Sequence, residues 1–370
     1  MSKDRSHVAL FLRYLGGGGA DLAMTYLARG FVERGLKVDF VLSHADGAHL
    51  WKIPPQVRIV DLKSAGNFAS LKALIGYLRQ ERPDTLLSAM HFNNEIAVAA
   101  KYLAGVSTRI FVCEQNNLSQ RSRNETRLLK RMTPLFAKLS YRWADGVVAV
   151  SHGVAIDLNK TIGLPLEKIY VIYNPAVTPE LVAKAQEKID HPWFALGEPP
   201  VILGVGKIEP QKDFPTLIHA FAQIRQIQPA RLAILGWGPD SEKQKHEALI
   251  RELGLEEDVG LLGYVNNPYA YMSRAAVFAL SSRWEGLPFV LVEAMAVGTP
   301  VVSTDCESGP AEILDRGKYG SLVPVGDSQA LAKAILEVLS GQTKPVEMAW
   351  LKQFSLEEIT QKYLEVFGLA

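Results

Sequence analysis

Short, mostly apolar runs alternate with helix-type segments through this 370-residue chain, and that alternation restricts the fold more than any single motif does. Val8–Leu15 is such a run; Gly16-Gly17-Gly18-Gly19 comes next, then a helical pattern to about Arg34 closed by Gly35, then a second run at Lys37–Ser43. Runs that are apolar at successive positions suit strands buried on both faces, and strand–helix–strand order builds a parallel sheet. The series continues at Val57–Leu62, Thr85–Ala89, Arg109–Cys113 and Gly146–Ser151, and Val171–Tyr173 runs into a turn at Asn174-Pro175. Residues 178–200, rich in charge, Pro and Ala, suit a linker. A second series opens at Val201–Gly206 and proceeds through Arg231–Leu235, Val259–Leu262, Ala276–Leu280 and Pro300–Ser303. The reading is α/β: two Rossmann-like doubly wound domains facing across a cleft. The first spans 1–177 and the second 201–354, with a terminal helix at 355–370 packing back on the first.

Charge separates the halves. The whole chain carries a formal +1, but residues 1–196 hold 25 Lys and Arg against 17 Asp and Glu, and the remainder holds 15 against 22. The near-neutral total, with no recognisable motif, argues against a nucleic-acid partner, while a basic and an acidic half point to different ligands. Cys113 and Cys306 cannot build a disulfide framework or a zinc pattern. The N-terminus has no apolar signal region and no run of about 18 apolar residues exists, so the expectation is a cytoplasmic protein.

The richest stretch runs from Arg283 to Pro300 (RWEGLPFVLVEAMAVGTP). Pro288 suits a first helical position and Gly298 a C-terminal stop, which predicts a helix from about Pro288 to Val297. Gly286 before it lets a ligand approach the backbone, and exposed amides at that end make an anion seat. Glu285 falls in the loop and Glu293 in the helix. On a fully helical span they would stand roughly 12 Å apart, too far for a nucleophile–acid pair and suited to two parts of one extended ligand.

In the first half, the glycine run lacks the third glycine of a dinucleotide fingerprint, and the second strand does not end in an acid, so close approach to a sugar, phosphate or acceptor is expected there instead. Polar clusters come after two strands: His91 with Asn93 and Asn94, and Glu114 with Asn116 and Asn117, where open parallel sheets place their sites. Residues 118–143 carry Arg121, Arg123, Arg127, Lys130, Arg131, Lys138 and Arg142 against one acid, Glu125, with apolar residues at spacings of three and four. This basic amphipathic segment, broken or kinked at Pro134, either turns its apolar face to the core or lies on an anionic membrane or acceptor.

Taken together, these residues resemble retaining nucleotide-sugar glycosyltransferases of the two-Rossmann-domain GT-B type, in the large family 4 (glycosyl transferases group 1). The resemblance covers nearly the whole chain. It rests on the glycine run with Asp21, Val150-Ser151, Tyr173-Asn174-Pro175, Gly204-Val205-Gly206-Lys207-Ile208 with Lys212, and Gly236-Trp237-Gly238-Pro239. Gly263-Tyr264-Val265 and Ser281–Pro288 with Glu293-Ala294 and Gly298-Thr299-Pro300 complete it. Two positions depart from the usual pattern: Lys207, where arginine is common, and Asp21, where many relatives have glutamate.

The resemblance implies an acceptor-binding first domain and a donor-binding second. Lys207 and Lys212 would hold the diphosphate of a UDP- or GDP-linked sugar, and Glu293 the ribose hydroxyls. Glu285 would lie beside the transferred sugar, Tyr264 and Val265 would meet the base, and Gly206 with Gly286, Leu287, Pro288 and Phe289 would offer backbone to sugar and diphosphate. Gly18 and Gly19 would touch the donor phosphate or the acceptor. His91 is a further catalytic candidate, and Asp21, Asn93, Glu114 and Asn116 are acceptor candidates. The implied reaction needs no cofactor and no metal, and the chain contains no Asp-x-Asp diad. The acceptor would be a glycan or lipid-linked intermediate, with a peripheral seat on the inner face of the membrane if residues 118–143 bind a bilayer. Two other readings remain: a sugar-nucleotide epimerase of the same two-domain fold, using His91, Glu114 or Asp21 as acid and base, and a non-catalytic nucleotide-sugar-binding protein.

Overall fold

A computed structural model describes residues 6–47, 49–125 and 131–370, and divides the chain into two compact units, Met1–Pro175 with Gln353–Ala370, and Ala176–Lys352. The first unit holds β1 (His7–Leu12), β2 (Lys37–Leu42), β3 (Arg58–Asp61), β4 (Thr85–Ala89), β5 (Arg109–Glu114), β6 (Gly146–Ala149) and β7 (Ile169–Val171). They form one parallel sheet in the order β3-β2-β1-β4-β5-β6-β7. Val8 of β1 sits between Val38 of β2 and Thr85 of β4. Every residue of β1 and β4 is buried, in keeping with strands that are mainly apolar and carry no charged residue but His7, while β3 at the edge is largely exposed. β1 stops at Leu12, short of the predicted Leu15, because the Leu15 N–H leaves the ladder and donates to Asp46 O at 3.0 Å.

The last helix, Leu356–Phe367, is part of this unit. Ser355 caps it by accepting the Glu358 N–H. Tyr363 and Phe367 pack on Phe31 with ring centroids 6.3 and 5.8 Å away. All three rings are almost wholly buried, each worth roughly 1.5–3 kcal/mol of transfer free energy. The helices approach so closely that a Cβ on Gly30 would lie 2.1 Å from Thr360 Oγ1.

The second unit holds β8 (Val201–Val205), β9 (Arg231–Leu235), β10 (Val259–Gly263), β11 (Val277–Leu280), β12 (Val301–Thr304) and β13 (Ser321–Val323), ordered β10-β9-β8-β11-β12-β13 and again all parallel. Helices Phe214–Arg225 and Ser328–Leu339 supply much of its core. β13 has no counterpart in the sequence reading, since three residues are too few to show a period. The expected linker contains a helix, Pro179–Ala185, tied into this unit: Asn267 Nδ2 donates to Lys184 O at 2.9 Å and Ser273 Oγ to Ala185 O at 2.8 Å. Both sheets reverse their strand order beside their first strand, between β1 and β4 and between β8 and β11. In open parallel sheets such a switch point opens a crevice at the carboxyl ends of the strands.

Candidate active site

At the β8/β11 switch point three strand ends are stitched together through glycines. Gly206 N–H donates to Leu235 O at 2.9 Å and Gly236 N–H to Gly263 O at 2.8 Å. A Cβ on Gly236, whose φ is 148°, would fall 1.8 Å from Gly206 O, and one on Gly238 2.3 Å from Ile208 O. Only glycine allows these approaches. Gly206 also makes room for Lys212, whose Cε would lie 3.0 Å from an added Cβ.

That lysine meets Glu285. Lys212 Nζ lies 2.6 Å from Glu285 Oε1, with the two side chains 15% and 7% exposed. Ser282 Oγ donates to the same oxygen at 2.7 Å and Gln211 Nε2 to Oε2 at 3.3 Å. The backbone carries the pair as firmly: Gln211 Nε2 donates to Trp284 O, Arg283 N–H to Gln211 O and Ser281 Oγ to Lys212 O. Asp213, next to Lys212, takes a left-handed φ of 48° and holds Arg283 and Thr216 through its carboxylate. A buried carboxylate with three donors, one of them an ammonium, is well compensated. An ammonium has three N–H bonds, so one given to Glu285 leaves capacity for an anion. Lys207 goes elsewhere: its Nζ stands 5.0 Å over the Trp237 ring. The pair of cations expected from sequence is therefore one lysine on Glu285 and one on an aromatic face.

Helix Phe289–Ala296 begins one residue later than predicted, with Pro288 at the cap position, and ends at Gly298 with φ 85°. Leu291, Val292, Ala294 and Met295 are buried on its several faces. Glu285 lies in the loop and Glu293 in the helix, as expected. Glu293 is 3% exposed, and its Oε1 accepts the Tyr269 hydroxyl at 2.9 Å. Gly286, Leu287 and Pro288 pack against Gly309, where an added Cβ would meet Pro288 Cδ at 2.6 Å. Glu285 N–H donates to Glu307 O at 3.2 Å. At the end of β10, Gly263 has φ 75°; Tyr264 after it is 47% exposed and Val265 half-buried.

In the first unit the switch point is built differently. Gly18 N–H donates to Asp21 Oδ2 at 3.1 Å, so this acceptor candidate closes the glycine run onto the helix Gly19–Glu33. Met90, with φ 73°, turns β4 directly into helix His91–Ala104. His91 is 2% exposed, with its ring 4.2 Å from that of Phe92. Asn93 Nδ2 donates to Ala89 O at 2.8 Å, and Asn116 Oδ1 accepts the Asn117 N–H. Glu114 is buried and accepts the Tyr141 hydroxyl at 2.7 Å, while Asn94 Nδ2 donates to that hydroxyl at 3.0 Å. Burial pushes the Glu114 carboxyl up to about 7, against the lowering effect of Tyr141. Among these candidates His91 and Asn93 share one helix start, and Glu114 is linked to that helix through Tyr141 and Asn94.

Known proteins decide what this arrangement belongs to. A family model described as glycosyltransferase family 4 matches residues 17–178, and one described as glycosyl transferases group 1 matches residues 185–350. The N-acetylgalactosamine-N,N'-diacetylbacillosaminyl-diphospho-undecaprenol 4-alpha-N-acetylgalactosaminyltransferase of Campylobacter jejuni is 32% identical over 258 residues, 69% of this chain and 67% of that protein. A lipopolysaccharide core biosynthesis glycosyltransferase of Rhizobium meliloti is 32% identical over 247 residues, 65% of this chain and 69% of that one. This chain is a glycosyltransferase of the group 1 family. The crystal structure of Anabaena HepE in complex with UDP-glucose shares the GT-B fold, with a TM-score of 0.80 over 98% of this chain and 100% of that one, at 20% identity.

For this glycosyltransferase, sequence reasoning misses the residues that hold Glu285 in place. Gln211 and Glu307 stand outside any recognisable motif, and Ser282 lies inside one without a readable role. The loop Glu307-Ser308-Gly309 had one local signal, a Ser-Gly-Pro turn; Ser308 and Gly309 indeed both have positive φ. Among the described residues no group of three or more His, Cys, Asp or Glu side chains is placed to hold a metal ion, and no helix is long and apolar enough to cross a membrane. The basic segment is described as helix Leu118–Asn124 and helix Thr133–Ser140, with Pro134 in the first turn of the second. Arg127 and Lys130 lie outside the described residues.

Proposed function

We propose that this glycosyltransferase moves a hexose or N-acetylhexosamine from a nucleotide-diphosphate donor, UDP-linked by preference, to a glycan or lipid-linked acceptor. Transfer retains the anomeric configuration and needs no metal. The observation that carries this reading is the Lys212–Glu285 pair at the β8/β11 switch point, where a diphosphate would find an ammonium already fixed in place. The relatives support the substrate class: one is named for a diphospho-undecaprenol acceptor and another for lipopolysaccharide core synthesis, and the HepE crystal holds UDP-glucose.

The steps follow from charge. The bond from the anomeric carbon to the diphosphate oxygen breaks, and its electron pair stays on that oxygen. Lys212, with Lys207 swinging from Trp237, offsets the charge as it grows. An acceptor hydroxyl bonds to the anomeric carbon on the face just vacated, and its proton passes to the departing phosphate. Glu285 orients the sugar while holding Lys212, Glu293 takes the ribose hydroxyls, Tyr264 and Val265 face the base, and Gly206 and Gly286–Phe289 offer backbone. Asp21, Asn93, Glu114 and Asn116 belong to the acceptor side, with His91 as a further catalytic group, and Gly18 and Gly19 touch the donor phosphate or the acceptor. A cytoplasmic protein seated at the inner membrane face through residues 118–143 completes the reading.

A panel of nucleotide sugars, assayed for nucleotide release with chelator present and for the anomeric coupling constant of the product by NMR, tests the proposal. An axial product from an axial donor is expected. An inverted product, or release only with added divalent metal, overturns it; an epimer formed without acceptor favours the epimerase.

A further inference from the structure

Outside the donor site, one feature of the first unit has no part in the chemistry above. Helix His91–Ala104 presents Val98, Ala99 and Tyr102, and helix Thr133–Ser140 with its adjoining turn presents Phe136, Leu139 and Trp143. Each set lies on one helical stripe, at spacings of one, three or four residues. Two such stripes normally interlock; here they line a groove of about 490 Å³, within the size range of a small-molecule pocket. Tyr102 and Trp143 close one end, with ring centroids 5.7 Å apart and the tyrosine hydroxyl donating to Trp143 O at 3.0 Å. Tyr102, Leu139 and Trp143 each remain more than half exposed.

We infer that this groove binds the hydrocarbon chain of an anionic lipid, with the lipid's phosphate at the rim beside Lys138 and Arg142. Charge selects this occupant. Residues 131–143 contain Arg131, Lys138 and Arg142 and no acid, and Lys138 and Arg142 are exposed on the same segment as the apolar stripe. An amphiphile with an apolar tail and an anionic head matches both features. The one carboxyl in the lining, Glu95, leaves the floor uncharged at neutral pH: burial, with the Glu114 charge adding to it, pushes it up to about 8. This inference rests on the lipid-linked acceptor proposed above only in naming what brings the lipid.

Isothermal titration of the full chain with farnesyl phosphate tests the groove, with UDP titrated separately into the same protein. Ala99→Trp fills the groove, and Leu139→Gln, at an exposed position, makes its wall polar. Saturable farnesyl phosphate binding that falls about tenfold in both variants, with UDP binding kept, is the expected result. Binding unchanged in both variants overturns the inference. So does equal competition by inorganic phosphate, or retention of Ala99→Trp by phosphatidylglycerol vesicles as strongly as the wild type without farnesyl phosphate binding, which would indicate surface adsorption. A concentration-dependent dimer lost in Ala99→Trp, with no farnesyl phosphate heat, would assign the groove to a second copy and also overturn it. Absence of UDP binding to the wild type would count against the donor reading alone.

Discussion

The two sheets reverse at the same place, and beside each reversal the ends of the first and second strands meet through a glycine. In the first unit Gly47, after the second strand, has φ 123° and would place a Cβ 1.9 Å from Leu15 O, after the first. In the second unit Gly236, again after the second strand, would place one 1.8 Å from Gly206 O, after the first. The units diverge beyond the fourth strand of each. β4 passes through the single residue Met90 into a helix, whereas β11 gives way to the loop Ser281–Pro288 before its helix starts. Only the longer connection can fold back over the first strand's loop and set Glu285 on Lys212. The carboxyls are accommodated accordingly. Glu285 is compensated by an ammonium, while burial raises Glu95 and Glu114 toward the protonated form. The second unit balances its buried carboxylate with a cation, and the first raises two of its own by burial.

The sharpest test of that contrast is Lys212→Met. If the ion pair is the catalytic cation, kcat should drop by roughly 100- to 1,000-fold, the cost of one preorganised transition-state donor. Leaving Glu285 7% exposed without its ammonium should also lower the stability of the second unit by about 3 kcal/mol. Lys212→Met,Glu285→Gln should restore the stability and not the rate. Wild-type turnover in Lys212→Met would remove Lys212 from the mechanism.

Next in size are the two glycines, and here the comparison itself can break. Gly236→Ala and Gly47→Ala should each cost on the order of 3 kcal/mol, since both clash with a carbonyl and demand positive φ. Gly236→Ala should abolish UDP binding, and Gly47→Ala should leave it near normal. Equal loss of UDP binding, measured by calorimetry below the unfolding transitions, would show that the first unit's glycine turn supports the donor.

The sequence exposes the fold readily where physics repeats itself. Both-face burial makes the middles of β1, β4, β5 and β8 apolar at successive positions, so the strand–helix alternation is legible without any motif. Edge positions are not: β13 is three residues long, and helix Pro179–Ala185 hides in a charged, proline-bearing stretch that reads as linker. Within the site, glycines and the glutamates of the Arg283–Pro300 stretch are visible because turns and helix ends have local rules. The pairing of Glu285 with Lys212, Ser282 and Gln211 joins residues up to 74 positions apart, and no local rule encodes it. Lys207 shows the converse: its type and spacing are readable, while its seat over Trp237 lies where the Ile208 N–H donates to Trp237 O, a contact between two loops that no local rule encodes.

The effect on turnover should be smallest for the first unit's raised carboxyls. Glu95 rises from 4.5 to about 8 on folding, so between those values the folded chain holds a proton the unfolded chain has released. Stability therefore falls as pH rises through that window and levels off above it. Glu95→Gln removes this dependence. The variant should melt close to the wild type at pH 5 and a few degrees above it at pH 8.5. Part of the slope should persist up to about pH 7, because Glu114 is displaced in the same direction. In the second unit Glu285→Gln should show the opposite character: it breaks a paired carboxylate and should destabilise at pH 8.5, where Glu95→Gln stabilises. Thermal unfolding with hydrogen exchange to assign each transition to its unit distinguishes the two. Equal pH slopes for wild type and Glu95→Gln would mean that Glu95 is ionised in the folded chain, and the groove floor would then carry a charge.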